Sequence, residues 1–157
     1  MQKSVEARLK EKKIYQVINS KCVQAGPDLP IRDAITFMQE NKSGYLVIAH
    51  RKKLVGMFTE TDVLHKVLVQ NIDWTKPVRD FINPVPASLM LTDSVMNAID
   101  VMSQKRLYHI PLVDEKNQLV GVISVRTLIR FLAEFYPTEV YNLPPDPAQV
   151  METQEGG

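Results

Sequence analysis

The chain has 157 residues, 45% of them hydrophobic and 24% charged, a globular composition that excludes a fibre or a disordered polymer. Its 19 basic and 18 acidic residues leave a net charge of +1, so the total charge gives no pull toward nucleic acid or a membrane surface. The single cysteine, Cys22, excludes an internal disulfide and a cysteine-based metal cluster. The sequence shows neither a signal-peptide pattern nor an apolar run of about 20 residues, so we expect a cytoplasmic protein with no membrane span and no metal site.

The two ends of the chain differ from its middle. Residues 1–13 are rich in Lys, Glu, Arg and Gln, with weak apolar spacing at Val5 and Leu9, which predicts a solvent-facing helix that leads into the folded part. Residues 137–157 are rich in proline and end in polar residues, which predicts an extended tail without a core of its own.

The middle of the sequence contains an internal repeat. Residues 17–34 align without gaps on residues 81–98, at an offset of 64. After one inserted residue the offset becomes 65, and residues 54–56 (LVG) fall on residues 119–121 (LVG). An ordered series of matches at one period indicates that the chain is a duplication.

Both copies predict the same order of elements. A short extended piece (residues 21–24 or 85–88) precedes an amphipathic helix that begins near Ile31 or Val95, with apolar residues at i, i+3, i+4 and i+7. Two strands joined by a polar turn follow, at residues 45–49 and 54–58 in the first copy and at 110–113 and 119–123 in the second. A second helix, with apolar residues on more than one side, ends each copy.

The repeating unit is therefore β-α-β-β-α, and one copy alone would bury too little apolar surface to be stable. We expect an α+β fold in which two such copies pack with pseudo-twofold symmetry around one core. The predicted divisions are residues 1–13 as a helical lead, 14–73 as the first domain, 74–136 as the second domain and 137–157 as the tail.

A short motif ends each copy: Gly, two apolar residues, Thr or Ser, two variable residues and Asp. The first copy has it complete, from Gly56 to Asp62 (GMFTETD), whereas the second (GVISVRT) has Thr127 in place of the aspartate. The second copy also carries the strand sequence HIPLVD from His109. With these motifs in register with a whole-copy duplication, residues 14–136 resemble a tandem pair of cystathionine-β-synthase-type (CBS) domains, the arrangement called a Bateman module.

The motif has a physical interpretation of its own. Thr59 lies at a predicted strand-to-helix junction, where its hydroxyl can cap free amide groups, and the N-terminus of a helix is a favourable seat for phosphate. Asp62 can accept two hydrogen bonds from a vicinal diol such as ribose. The alternative is that Thr59 is only the cap and that Asp62 only complements the helix dipole. In the CBS family the matching aspartate holds a ribose, so the resemblance favours the first interpretation.

The resemblance implies two clefts, each formed by the end motif of one copy and the early extended piece of the other. In the first cleft, Asp62 would hold ribose, apolar side chains would sandwich adenine, backbone groups near Ala87 and Leu107 would read its edge, and Thr59 and His109 would approach phosphate. The residues assigned to this cleft are Met57, Thr59, Thr61, Asp62, Val85, Pro86, Ala87, Leu107, Tyr108 and His109.

The second cleft is expected to be the weaker one. The residues assigned to it are Lys21, Cys22, Val23, Lys42, Ser43, Gly44, Val122, Ser124, Arg126 and Thr127. Because Thr127 replaces the carboxylate, charge-assisted hydrogen bonds are lost there, each worth about 1.5–3 kcal/mol. We expect this cleft to bind weakly, to stay empty or to depend on phosphate contacts from Lys21, Lys42 and Arg126.

The function that the resemblance implies is regulation: binding of AMP, ADP or ATP without catalysis, with no cofactor, acting on a partner protein or on the chain's own oligomer. A homodimer is expected, because CBS pairs commonly form discs and the second helices here have additional apolar faces. The alternatives are a scaffold with vestigial clefts, which Thr127 favours, and a sensor of an S-adenosylmethionine-type ligand. Catalysis and nucleic-acid binding lack a motif.

Several single residues keep a simpler alternative role. Cys22 suits core packing better than reactivity, and His109 suits either a phosphate contact or a surface position. Tyr45 and Tyr108 suit the edge of the core better than a platform for stacking a base.

Overall fold

A computed structural model describes residues 3–19 and 22–135, and within these ranges it confirms the α+β fold of two related copies. The helices are α1 (Val5–Glu11), α2 (Ile31–Glu40), α3 (Glu60–Asp62), α4 (Val95–Lys105) and α5 (Val125–Phe135). The strands are β1 (Gln24–Ala25), β2 (Tyr45–His50), β3 (Lys53–Thr59), β4 (His109–Val113) and β5 (Leu119–Ser124). Within the described ranges, no helix is long and apolar enough to cross a membrane. The predicted tail at 137–157 lies outside the described residues.

The sheets of the two copies differ in size. In the first copy β1 runs parallel to β2, and β2 pairs antiparallel with β3, which gives a three-stranded sheet. The second copy has only the β4–β5 hairpin, and its predicted extended piece at residues 85–88 forms no strand. A single parallel bridge between Leu89 and Leu112 stands there instead. Pro111 explains the reduction, because it has no N–H to offer on that side, where its carbonyl accepts from the Leu89 amide at 3.1 Å.

Each copy has its own apolar core, so the single shared core expected from the sequence is replaced by two. In the first core Ile31 and Phe58 are fully buried, and in the second Ile110 and Ile123 are fully buried. Each core is built where the inner face of a helix covers one face of its sheet, which is the burial that the apolar periodicity of α2 and α4 predicts.

The two cores are joined because the segment leading into each copy packs on the other copy. Ile14, which starts the 3₁₀ turn Ile14–Gln16, is fully buried in the second core, and Val78, which starts the turn Val78–Asp80, is fully buried in the first. Backbone hydrogen bonds related by the 64-residue offset fix this exchange. They run from Ile31 N to Lys76 O and from Val95 N to Lys12 O, both 2.8 Å, and from Ile14 N to Asp93 O (2.9 Å) and Val78 N to Leu29 O (2.7 Å). They also give the first amides of α2 and α4 the acceptors that a helix start lacks.

Two helices differ from the sequence prediction. α1 is not simply solvent-facing, because Leu9 is buried in the second core and α1 packs on α4. The second helix of the first copy is not regular: α3 is a single turn that continues as a π-helix, Val63–Leu68. Val67 is buried there, whereas Leu64 and Leu68 are exposed, which leaves an apolar strip on the outside of the first copy.

Candidate functional site

A cavity of about 840 Å³ lies between the two copies, where the β3–α3 junction of the first copy faces the α4–β4 connection of the second. Nine of the ten residues predicted for the first cleft line it: Met57, Thr59, Thr61, Asp62, Val85, Pro86, Leu107, Tyr108 and His109. Ala87 is not among the residues that line this cavity. The residues that the duplication and the end motif grouped together therefore line a single cavity, with the exception of Ala87.

Six further residues line the same cavity and were missed by sequence reasoning. They are Gly44, Glu60, Asn83, Pro84, Arg106 and Pro111. Gly44, which the sequence assigned to the second cleft, lines this cavity instead, because its carbonyl accepts a hydrogen bond from the Glu60 amide (3.1 Å) at the β3–α3 junction. Glu60 is one of the variable positions of the end motif, so the motif itself gave no signal for it. Asn83 and Arg106 align with Asn19 and Lys42 at the offset of 64. This repetition of an asparagine and a basic residue in both copies is the sequence signal that could have indicated them.

The β3–α3 junction positions the end motif. Thr59 is extended (φ −127°, ψ 169°), and its backbone amide donates to Oδ2 of Asp62 at 2.9 Å. The Thr59 hydroxyl donates to the same oxygen at 3.1 Å. Asp62 thus caps the helix start from inside the first turn, and its side chain is 8% exposed. The capping role that the sequence left as an alternative is present in the structure.

The other carboxylate oxygen of Asp62 faces the second copy. Its Oδ1 accepts from Nδ2 of Asn83 at 3.0 Å and forms an ion pair with Nζ of Lys66 at 3.1 Å. Lys66 also donates to Oδ1 of Asn83 and to the carbonyl of Phe81, both at 2.8 Å. A buried carboxylate is stable only when it is paired and hydrogen-bonded, and here that requirement is met by residues from both copies.

Close backbone packing holds Asn83 beside the end motif. Met57 and Asn83 form an isolated antiparallel bridge between the copies. A Cβ atom at Gly56 would lie 2.8 Å from Cδ1 of Ile82 and 2.9 Å from the carbonyl oxygen of Asn83. The glycine of the motif therefore lets the segment that leads into the second copy (the lead of the second copy, which contains Ile82 and Asn83) approach β3 closely. This is expected where a strand must accept a neighbouring backbone.

An aromatic contact crosses the cavity wall. The rings of Tyr45 and His109 lie 4.8 Å apart at 46°, so the start of β2 touches the start of β4. Burial lowers the pKa of His109 below its ordinary value, and the nearby Glu60 carboxylate opposes this only in part. His109 is therefore a neutral imidazole at pH 7, a hydrogen-bonding group rather than a cation.

The charges on the cavity wall are few. Among the described residues that line it, Glu60 and Asp62 are acidic and Arg106 is the one permanent cation. Arg106 ends α4 in the left-handed conformation (φ 53°, ψ 48°), a position that glycine normally occupies. Its counterpart Lys42 has the same left-handed conformation (φ 49°), so both copies end this helix alike.

The residues predicted for the second cleft are not gathered in the same way. Cys22 and Val23 line another cavity, of about 770 Å³, together with Phe37, Glu40 and residues 119–121. Lys42, Ser43, Val122, Ser124, Arg126 and Thr127 line neither of these two cavities, and Lys21 lies outside the described residues. The phosphate contacts expected from Lys42 and Arg126 are therefore not assembled in the described structure.

The second copy caps its helix without a carboxylate. The Thr127 amide donates to Oγ of Ser124 at 3.1 Å, and the two hydroxyl oxygens lie 3.1 Å apart. Near the 770 Å³ cavity, burial raises the pKa of the Cys22 thiol to about 11, so it is protonated at neutral pH and is not a nucleophile.

Comparison with known proteins gives one consistent family. A family model described as the CBS domain matches residues 14–69 and 78–134. An uncharacterized 17.7 kDa protein of Acidianus ambivalens is 26% identical over 125 residues, which are 79% of this chain and 75% of that protein. Two CBS domain-containing proteins of Arabidopsis thaliana are 29% identical over 108 residues, or 68% of this chain, but the chain spans only 20% of their length.

Solved structures share the fold. A CBS domain protein from Pyrobaculum aerophilum, solved in complex with AMP, is 26% identical with a TM-score of 0.70, covering 80% of this chain and 98% of that one. The CBS domain pair of protein MJ0100, solved with 5′-methylthioadenosine and S-adenosyl-L-methionine, has a TM-score of 0.70 and covers 77% of this chain and 99% of its own. At 20% identity the second likeness concerns the fold alone.

Proposed function

Because this chain belongs to the CBS domain family, we propose that it is a regulatory module that binds an adenine nucleotide between its two copies and catalyses no reaction. The observation that carries the proposal is the 840 Å³ cavity in which Thr59 and Asp62 of the first copy face Leu107 and His109 of the second. Its volume is in the range of small-molecule sites, and it combines apolar walls with a few polar groups.

Each part of a nucleotide has matching groups in this cavity. Val85, Leu107 and the largely exposed ring of Tyr108 offer apolar surface for the two faces of adenine. The Asp62 carboxylate is the acceptor for the ribose hydroxyls, and Arg106 is the cation for phosphate. His109, being neutral, contributes a hydrogen bond rather than charge.

The charge of the wall ranks the candidate ligands. With Arg106 set against the carboxylates of Glu60 and Asp62, the wall offers little compensation for three phosphates. A nucleoside monophosphate suits this balance better than ADP, and ADP better than ATP. The 26% identical Pyrobaculum aerophilum protein was solved in complex with AMP, which supports AMP as a candidate ligand.

A second candidate ligand is favoured by Glu60. Gly44 leaves room for this side chain, since a Cβ there would lie 3.0 Å from Cδ of Glu60. A carboxylate at the cavity wall suits the positive sulfonium or amino group of an S-adenosylmethionine-type ligand. The MJ0100 pair was solved with such a ligand.

The output of the module is proposed to be a change in association. The exposed apolar strip of Leu64 and Leu68 on the first copy and the exposed Ile129 on α5 offer surface for a homodimer or a partner protein. We propose the homodimer, in the cytoplasm, where the single cysteine needs no disulfide partner. Light scattering measures the mass of the particle in solution. A mass that equals one chain at high protein concentration would contradict the proposed dimer.

Titration calorimetry with AMP tests the nucleotide site. Asp62→Asn keeps the size of the side chain but removes its charge, so we expect AMP affinity to fall about ten- to a hundredfold, with the loss of one or more charge-assisted hydrogen bonds. Thr127→Ala at the equivalent position of the second copy is the matched control and should leave the affinity unchanged. Equal AMP affinity in wild type and Asp62→Asn would rule out the proposed ribose contact.

Thermal-shift screening separates the proposal from a scaffold with vestigial clefts, which Thr127 favours. A ligand that binds only the folded protein must raise its melting temperature. We expect the largest shift with AMP or S-adenosylmethionine and the smallest with ATP. No shift with AMP, ADP, ATP or S-adenosylmethionine would favour the scaffold.

A further inference from the structure

Asp62, the proposed ribose acceptor, has no acceptor position left to offer. A carboxylate has about four lone-pair sites. The two oxygens of Asp62 already make four contacts, to the amide and hydroxyl of Thr59, to Nδ2 of Asn83 and to Nζ of Lys66. With the side chain 8% exposed, a diol can reach the carboxylate only by replacing one of these partners.

The four partners are not equally replaceable. Thr59 belongs to the same turn as Asp62, so losing its contacts would uncap the helix. Lys66 lies one helical turn further on and supplies the charge that a buried carboxylate needs. Asn83 comes from the other copy, is exposed at the cavity and is a neutral donor. Of the four donors, the Asn83 amide is the one most like a sugar hydroxyl, because it is neutral and reaches the carboxylate from the side of the cavity.

The orientation of the Asn83 amide is determined by its neighbours. Its Oδ1 accepts from the Lys66 ammonium group at 2.8 Å, so its Nδ2 must face Oδ1 of Asp62, which lies 3.0 Å away. The bridge between Met57 and Asn83 holds the backbone beside the cavity, so the amide is present at a high local concentration.

We propose that Asn83 is a built-in competitor of the ligand: the ribose hydroxyl takes the place of the Asn83 amide on Asp62. Ligand binding then breaks a hydrogen bond that ties the first copy to the lead of the second. This inference rests on the proposed function of the same cavity and adds how its occupancy changes the contact between the copies. Asn83 is thereby a positioning residue that sets affinity, with Lys66 holding both the carboxylate and the amide in place.

The second copy has no such competitor. At the offsets of the duplication, the counterparts of Asn83, Asp62 and Lys66 are Asn19, Thr127 and Phe131. Neither the carboxylate nor the ammonium group is present there, so an asparagine at the same place has no charged partner to hold. Asn19 is therefore a matched control for Asn83.

Calorimetric titration of wild type, Asn83→Ala and Asn19→Ala with AMP and with adenosine tests the inference. Removing a tethered competitor should tighten both ligands about three- to tenfold in Asn83→Ala, because a water molecule on Asp62 is displaced more easily than a charge-assisted amide. Asn19→Ala should bind as wild type does. Equal or weaker binding by Asn83→Ala, with wild type binding normally, would overturn the competition and leave the nucleotide site standing.

A second measurement does not depend on the variant folding. In ¹⁵N-labelled wild type, the side-chain amide signals of Asn83, assigned by their absence in Asn83→Ala or by through-bond connection to its backbone, should move on addition of AMP toward the position of a solvated amide. Unmoved signals at saturating AMP would show that the hydrogen bond to Asp62 persists and would refute the inference. No binding of AMP or adenosine by either wild type or Asn83→Ala would refute the proposed function, and the inference with it.

Discussion

The two strand-to-helix junctions solve the same local problem with different chemistry. In the first copy the carboxylate of Asp62, three residues into the turn, accepts from the amide and hydroxyl of Thr59. In the second copy the Ser124 hydroxyl accepts from the Thr127 amide and contacts the Thr127 hydroxyl, with no charge involved. Since the neutral pair caps a regular 11-residue helix, capping alone does not require a buried aspartate. The charge of Asp62 exceeds what the helix needs, and it lies where the cavity and the other copy meet.

The glycines that precede these two junctions also differ, in the space that surrounds each of them. At Gly56 a Cβ would collide with Ile82 and the Asn83 carbonyl, whereas at Gly121 the nearest atoms, on Ile18 and Leu112, would lie at an ordinary 3.5 Å. The first junction is thus the tighter of the two, and the one that carries the polar bonds between the copies. Three experiments test this asymmetry.

The largest effect on stability is expected from removing the Asp62 carboxylate. Asp62→Ala takes an acceptor from Thr59, Asn83 and a largely buried Lys66, and should lower the free energy of unfolding by about 3 kcal/mol or more. Thr127→Ala removes only a hydroxyl and should cost about 1 kcal/mol or less. Urea denaturation of both variants measures the difference, and equal losses would show that the two junctions are energetically alike.

The next largest effect concerns the glycines. Gly56→Ala forces the lead of the second copy away from β3 and should cost about 2 kcal/mol, because the backbone oxygen of Asn83 cannot move aside freely. Gly121→Ala should stay within about 0.5 kcal/mol of wild type. Thermal melting of the pair checks this, and a neutral Gly56→Ala would mean that the copies separate more easily than the packing indicates.

The smallest effect is the pH dependence from His109 at the start of β4, whose counterpart at the start of β2 is Tyr45, a residue that burial keeps neutral by raising its pKa above the ordinary value. The pKa of His109 is lowered in the folded state, so between that value and its ordinary one near 6.5 the unfolded chain binds more protons. Its contribution to stability is complete above pH 6.5 and is lost as the pH falls through the folded pKa. His109→Gln should flatten the stability profile between pH 7.5 and 5, as measured by urea titration, and an unchanged slope would contradict the assignment.

The features that the sequence predicted are those that depend on residues close together along the chain. Apart from the first strand of the second copy, periodicity and the duplication predicted the element order, and β2 and β3 lie within about one residue of their predicted ends, because these patterns report local burial. The motif and the whole-copy repeat together grouped Asp62, Leu107 and His109, and these three residues line one cavity in the structure.

What the sequence did not predict depends on how separate elements meet, within a copy and between the copies. The sequence assigned Gly44 to the second cleft, whereas it lines the cavity with Asp62, because its carbonyl accepts from the Glu60 amide of the same copy. Lys66 follows Asp62 at the i+4 spacing of a helix ion pair, which the sequence offered, but Asn83 is 21 residues away on the other copy and no local pattern selects it. The π-helix after α3 was likewise invisible, because its apolar spacing reads as an ordinary helix.

The exchanged leads have a consequence for the history and handling of this protein. A fragment cut between the copies would leave the apolar pocket that Val78 fills on the first half, and the one that Ile14 fills on the second, open to water. Reciprocal exchange of identical segments is the arrangement of a domain-swapped pair of identical chains. Two single copies paired as a homodimer would therefore make the same kind of contacts, and joining them in one chain keeps these contacts while it lets the two end motifs differ, as Asp62 and Thr127 do.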